Sequence, residues 1–150
     1  MAGLSLAAAV PECGGKTVGD LLLTPTQLYA RAVRSVLRHY RVKQVVHGIA
    51  HITGGGLAEN LGRIVPTSIQ IQINRDSWQV PPVFGWLQGL GQIESAEMDR
   101  VFNMGLGMVL VVSPHFADSI QHQLADLGMT SWKIGEAAEA NPADKRVVLR

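Results

Sequence analysis

Apolar residues recur along this chain with two different periods. Leu28, Ala32, Val33, Val36, Leu37 and Tyr40 fall at helical spacing. That run opens on Thr24-Pro25-Thr26, where Thr24 suits a cap and Pro25 the first helical position, so a helix is predicted from there to about Tyr40. Residues 45–52 are mostly apolar and predict a buried strand. Residues 53–56 predict a tight turn, and residues 57–64 a short helix stopped near Pro66. Ile69-Gln-Ile-Gln-Ile73 alternates strictly, which predicts a strand with one buried and one wetter face. A helix around residues 82–90, a shorter one at about 95–102, and a continuous apolar strand at 108–112 follow. Ser113-Pro114 then restarts a helix through Leu127, with Phe116, Ile120, Leu124 and Leu127 inward and Gly128 ending it. The last strands are predicted at 132–136 and 147–149, with Asn141-Pro142 as the turn between them.

Residues 1–23 predict a leading segment rather than a packed element. Pro11, Gly14, Gly15 and Gly19 break any regular period, and Leu21-Leu22-Leu23 then docks onto the domain. Residues 24–150 are expected to form a single α/β (α+β) domain, with helices packed on a mixed sheet of four to six strands. No internal repeat or low-complexity tract interrupts it.

Composition fits that picture. In 150 residues the chain is 47% hydrophobic and 17% charged, so it can fill a core and is not of disordered type. Aromatics are only 5%, which leaves the core to aliphatic side chains and Met. A net charge of +1 provides no strong field for nucleic acid or an acidic membrane. The one cysteine, Cys13, forms no internal disulfide and suits a reducing, cytoplasmic setting. The apolar start lacks the basic flank of a signal sequence, and no run reaches the roughly 18 apolar residues of a membrane span.

The strongest chemical signal is His51-Ile-Thr-Gly-Gly-Gly-Leu-Ala-Glu-Asn60, where a strand ends, three glycines turn the chain and a helix begins. Three adjacent glycines cost conformational entropy on folding, a cost that makes sense if the backbone must approach a ligand closely. The first amides of a helix lack internal partners and carry the positive end of its dipole, so the geometry suits a phosphate. The alternative is that Gly54, Gly55 and Gly56 only make a sharp connection. Thr53 adds a hydroxyl donor. Arg63 either reaches the same anion or pairs with Glu59, a surface contact of about 0.3–0.5 kcal/mol. The pattern is neither a Walker A loop nor a dinucleotide fingerprint.

His51, at the end of the strand, is either a general acid or base or a histidine satisfied inside the fold. His47 shares its strand face, but no third ligand stands nearby, so no metal site is predicted. Arg31, Arg34, Arg38 and Arg41 share one helical face, read as solvated or facing an acidic partner, with nucleic-acid binding as the rival. His39, His115 and His122 are expected on the surface. Asn103-Met-Gly-Leu-Gly107 predicts a second glycine turn, in which Asn103 either shapes the backbone or faces a ligand.

With these segments in view, the sequence resembles the carboxy-terminal domain of aminoimidazole ribonucleotide synthetase, or phosphoribosylformylglycinamidine cyclo-ligase. The resemblance rests on Leu22-Leu-Thr-Pro-Thr26 with Tyr29, and on His47-Gly-Ile-Ala-His-Ile-Thr-Gly-Gly-Gly-Leu57 with Glu59, Asn60, Arg63 and Pro66. Ser77-Trp-Gln79, Val83-Phe-Gly-Trp-Leu87, Phe102-Asn-Met-Gly-Leu-Gly-Met108 and Trp132-Lys-Ile-Gly135 follow in the family's order. It implies ATP-dependent closure of formylglycinamidine ribonucleotide to aminoimidazole ribonucleotide in purine biosynthesis. By the same resemblance, Thr53, Gly54, Gly55, Gly56, Asn60 and Arg63 would hold a substrate phosphate, with Glu59 and Asn103 as further candidates. His51 would stand near the reacting amide or the transferred phosphoryl group.

The family's amino-terminal domain supplies most ATP and magnesium contacts and much of the dimer. Only about two dozen residues precede the Leu-Thr-Pro-Thr segment here, so that domain is expected to be absent, the isolated chain to turn over little or nothing, and its oligomeric state to stay open. Two alternatives remain. One is a phosphate-binding domain of a related ATP-dependent enzyme of formylglycinamidine synthetase, selenophosphate synthetase or thiamine phosphate kinase type. The other is a non-catalytic interaction module.

Overall fold

The structure, a computed structural model, describes residues 3–150. Its first elements lie where none was expected. Ala9–Val10 (β1) and Lys16–Thr17 (β2) pair antiparallel around a 3-10 turn at Pro11–Cys13, and Val18–Leu22 forms a short helix, α1. A capping box starts that helix. The Asp20 amide donates to Thr17 Oγ1 at 3.1 Å, and the Thr17 amide donates to the Asp20 carboxylate at 3.1 Å. Val10 and Val18 are buried by this arrangement. The leucine run does not dock: Leu22 and Leu23 are 62% and 83% exposed.

Thr24 belongs to the end of α1 and does not open the next helix. Its hydroxyl donates to the Asp20 carbonyl at 2.8 Å, and α2 begins only at Ala30, running Ala30–His39. Leu28 thus falls outside the helix and is 85% exposed, while Ala32 and Val36 are buried as the apolar stripe predicts. Leu37, expected inward, is exposed. The four arginines of the opposite face are exposed and make no ion pair among the described residues.

The central elements follow the pattern closely. Val46–His51 is β3, Gly56–Ile64 is α3, Ile69–Ile73 is β4, Pro82–Gly91 is α4, Ser95–Val101 is α5 and Met108–Val112 is β5. After a 3-10 turn at Pro114–Phe116, α6 spans Ala117–Asp126, and Gly128 closes it at φ +74. The penultimate strand, β6, lies at Gly135–Glu139 instead of 132–136, and β7 is Val147–Leu149. The shift has a local cause. Past Ile73 the chain turns away, with the Asn74 side chain accepting from the Asp76 amide at 3.0 Å, so β4 offers residues 132–134 no ladder. Only the Asn74 amide reaches back, to the Ile134 carbonyl at 2.8 Å.

The α/β class holds, with the strands spread over three ladders. β1 pairs with β2, β3 pairs antiparallel with β5, and a mixed sheet runs in the order β6-β4-β7, antiparallel on one side and parallel on the other. One core cluster joins Ala50, Ile52, Leu57, Leu61, Ile71 and Ile73 beneath α3. A second, of Val36, Val45 and Ile120, fixes α2 to α6, aided by the Tyr40 hydroxyl on Ser119 at 2.8 Å.

Candidate functional site

Ile52 is pinned by its amide to the Gly107 carbonyl at 2.9 Å, so β3 delivers Thr53 and the glycines at a fixed place. Gly55 caps α3 in the left-handed region, at φ +96, and Gly56 follows at φ +59. Both must be glycine for internal reasons. A side chain on Gly55 would run into the Glu59 carboxylate, and one on Gly56 into the backbone carbonyl of Asp99 in α5. Gly54 is different. Its φ is not positive, it is exposed, and a Cβ there would meet nothing within 4 Å. The fold itself makes no demand for glycine at that position.

The amides of Gly54, Gly55, Leu57 and Ala58 have no hydrogen-bond acceptor among the described residues, whereas that of Gly56 donates to the Thr53 carbonyl at 3.2 Å. The loop therefore keeps most of its donors free, at the positive end of a nine-residue helix. Asn60 shapes the loop from inside. It is buried, and its amide nitrogen donates to the carbonyls of Gly56, Gly54 and Thr53 at 2.7, 3.3 and 3.4 Å. Glu59 and Arg63 form an exposed ion pair. Such a pair is worth only about 0.3–0.5 kcal/mol, so it opens at little cost and releases the guanidinium to an anion.

Asn103 sits in the neighbouring turn, its side-chain oxygen accepting from the Gly105 amide at 3.0 Å. That turn adjoins the loop, because the Phe102 carbonyl lies 3.2 Å from where a Gly56 side chain would begin. Met104 in it takes a left-handed φ of 48, and its carbonyl accepts the Trp78 indole N–H at 3.0 Å. His51 is exposed and makes no side-chain hydrogen bond among the described residues. His47 lies within 2.8 Å of Ser113 Oγ, while His39, His115 and His122 are on the surface as expected.

A cleft of about 1080 Å³ opens between β5 and the β6-β4-β7 sheet, lined by Tyr29, Gln72, Ser77, Gly107, Lys133 and Arg150 among others. None of the predicted site residues lines it. Tyr29 does, and its ring stands 6.1 Å from that of His51, centroid to centroid. Tyr29 belongs to the Leu-Thr-Pro-Thr segment that carries the family resemblance, but nothing in the sequence alone gives it a place at the site. Burial pushes the Tyr29 phenol above its ordinary pKa of 10.0.

Fold and loop together agree with one family. The profile of AIR synthase related protein, C-terminal domain, matches residues 1–145, and the chain belongs to that family. Among curated relatives, the phosphoribosylformylglycinamidine cyclo-ligase of Symbiobacterium thermophilum is 44% identical over 140 residues, 93% of this chain and 38% of the relative. The enzymes of the same name from Pseudothermotoga lettingae and Citrifermentans bemidjiense are 45% and 44% identical over 89% and 98% of this chain. The chain thus spans about 37–41% of the length of these relatives. In structure it is similar to E. coli HypE, a hydrogenase maturation protein, with a TM-score of 0.62 at 17% identity, over 99% of this chain and 48% of that one. At that identity the likeness shows the fold.

Proposed function

We propose that this chain is the carboxy-terminal part of an ATP-dependent cyclo-ligase that closes formylglycinamidine ribonucleotide to aminoimidazole ribonucleotide in purine biosynthesis. The relatives' shared name supports the reaction, and Gly54 supports the site. A glycine that the fold does not need, beside free main-chain donors, is what close approach of a phosphate would call for. In this reading Thr53, Gly54 and Gly55 take the substrate phosphate, joined by Arg63 once it leaves Glu59. Asn60 acts on the phosphate through the loop it braces. ATP activates the formyl oxygen as a phosphate leaving group, an amidine nitrogen attacks that carbon, and His51 stands beside the reacting group.

Magnesium in such a reaction is held by one or two carboxylates together with the phosphates of ATP. The metal, most ATP contacts and self-association fall to the amino-terminal part of the longer enzyme. No described helix is long and apolar enough to cross a membrane, and the proposed setting is the cytoplasm.

Gly54→Ala tests the site. It should leave thermal unfolding unchanged and weaken calorimetric binding of inorganic phosphate at least tenfold; undiminished binding refutes the loop as the phosphate site. Adding the amino-terminal part of a curated relative in trans should restore ADP release on formylglycinamidine ribonucleotide, and silence of the pair known to have associated refutes the reaction.

A further inference from the structure

Gly107 poses a question that backbone geometry does not answer. It is buried, its φ is not positive, and it precedes a regular strand, so nothing in the main chain calls for glycine. Tyr29 answers it. A Cβ on Gly107 would collide with the phenol oxygen of Tyr29 and stand 2.7 Å from Cζ and 3.1 Å from Cε2. The chain has left out a side chain at the head of β5 to seat this one ring. The seat places the phenol at the wall of the large cleft and against His51, with the two rings tilted at 60°.

Neither the phenol oxygen nor the imidazole has a hydrogen-bond partner among the described residues. The phenol, whose ordinary pKa of 10.0 burial only raises, is protonated at neutral pH and available as a donor. Thr53 follows His51 by two residues, about 7 Å of extended chain. A ribonucleotide whose phosphate lay on the glycine loop would be long enough to span that distance with its sugar and reach His51 and the adjoining Tyr29.

The geometry points to Tyr29, seated by Gly107, as a binding residue for the ribosyl and acyl part of a ribonucleotide, donating its hydroxyl to an oxygen there. This rests on the phosphate reading of the loop and extends it toward the cleft. The pair then sets specificity: a bare phosphate satisfies the loop alone, whereas a ribonucleotide reaches both.

Calorimetry on the whole chain with two probes, inorganic phosphate and formylglycinamidine ribonucleotide, separates these roles. Tyr29→Ala should weaken the ribonucleotide at least tenfold and leave phosphate unchanged. Tyr29→Phe should lose at least threefold through the missing hydroxyl. Gly107→Ala unseats the ring, so it should reproduce Tyr29→Ala, and the double variant should bind no more weakly than either single one. Circular dichroism confirms folding, and where Gly107→Ala or Tyr29→Ala does not fold, Tyr29→Phe decides. Ribonucleotide affinity unchanged in Tyr29→Phe and Tyr29→Ala overturns the inference, as does a parallel fall in phosphate affinity. A wild-type chain that binds phosphate but gains nothing from the ribosyl group overturns it and leaves the loop standing. Binding of neither probe overturns both.

Discussion

The family resemblance puts Asn60 among the phosphate-binding candidates, but it does not tell what the side chain touches. On that resemblance its amide, six residues past the first glycine, would donate to an anion. In the fold it faces inward, and its hydrogens go to the carbonyls of Gly56, Gly54 and Thr53. A sequence shows that a side chain can donate, not which way the helix turns it. Asn60→Ala should cost about 1–3 kcal/mol, because it takes a donor from the buried Gly56 carbonyl and from the part-buried carbonyls of Gly54 and Thr53. A thermal melt should show this as a midpoint lower by several degrees, and an unchanged midpoint would remove Asn60 as the brace. The three glycines divide in the same way. Gly56→Ala forces a side chain into the Asp99 carbonyl at a positive φ and should destabilise by more than about 1 kcal/mol. Gly54→Ala meets open space and should leave the same melt unmoved. Equal melts for the two variants would contradict this division.

Among elements, those set by apolar periodicity were read well and those set by side-chain hydrogen bonds were not. Ile69–Ile73, Met108–Val112 and Val147–Leu149 stand where alternation and apolar runs put them, because burial on a sheet face writes itself into the sequence at every second residue. All of α1 depended instead on Thr17 and Asp20, with Thr24 bonded back to its end, whereas α2 starts at Ala30 with no side-chain cap. Thr17 precedes Asp20 by three residues, so the sequence carries the box, but the glycines around it leave no regular period to mark a helix. The box has a pH signature. Hydrogen bonds from the Thr17 hydroxyl, at 2.7 Å, and the Thr17 amide hold the Asp20 carboxyl below its ordinary value of 3.8. A depressed carboxyl pKa contributes stability above the unfolded value and loses it as pH falls through the folded one. The α1 cap should therefore stay intact down to pH 3.8 and weaken only below it. Carboxyl carbon NMR should place the Asp20 midpoint under 3.8 and show Thr17→Val returning it toward that value. A midpoint at or above 3.8 in the wild-type chain would mean the box does not persist in solution.

For the whole molecule, the strands expected in one mixed sheet distribute over separate ladders, and the large cleft lies between two of them. Linear pattern tells which residues are strand, but partner choice depends on contacts far apart in sequence, such as Ile71 against both Ala137 and Val147. The same view bears on the leading segment. Both core clusters, and the half-buried residues packed on them, lie at Val36 or beyond. The segment buries Val10 and Val18 and packs its 3-10 turn near Trp86 and Leu90 of α4, while the rest of it is mostly exposed. With two buried valines and no share in either core cluster, the segment should decorate the domain rather than hold it together. A chain beginning at Thr24 should unfold in one cooperative transition, with a midpoint only a few degrees lower. Loss of cooperativity in that shortened chain would show that residues 1–23 complete the core, and that the domain begins well before the first helix of its apolar stripe.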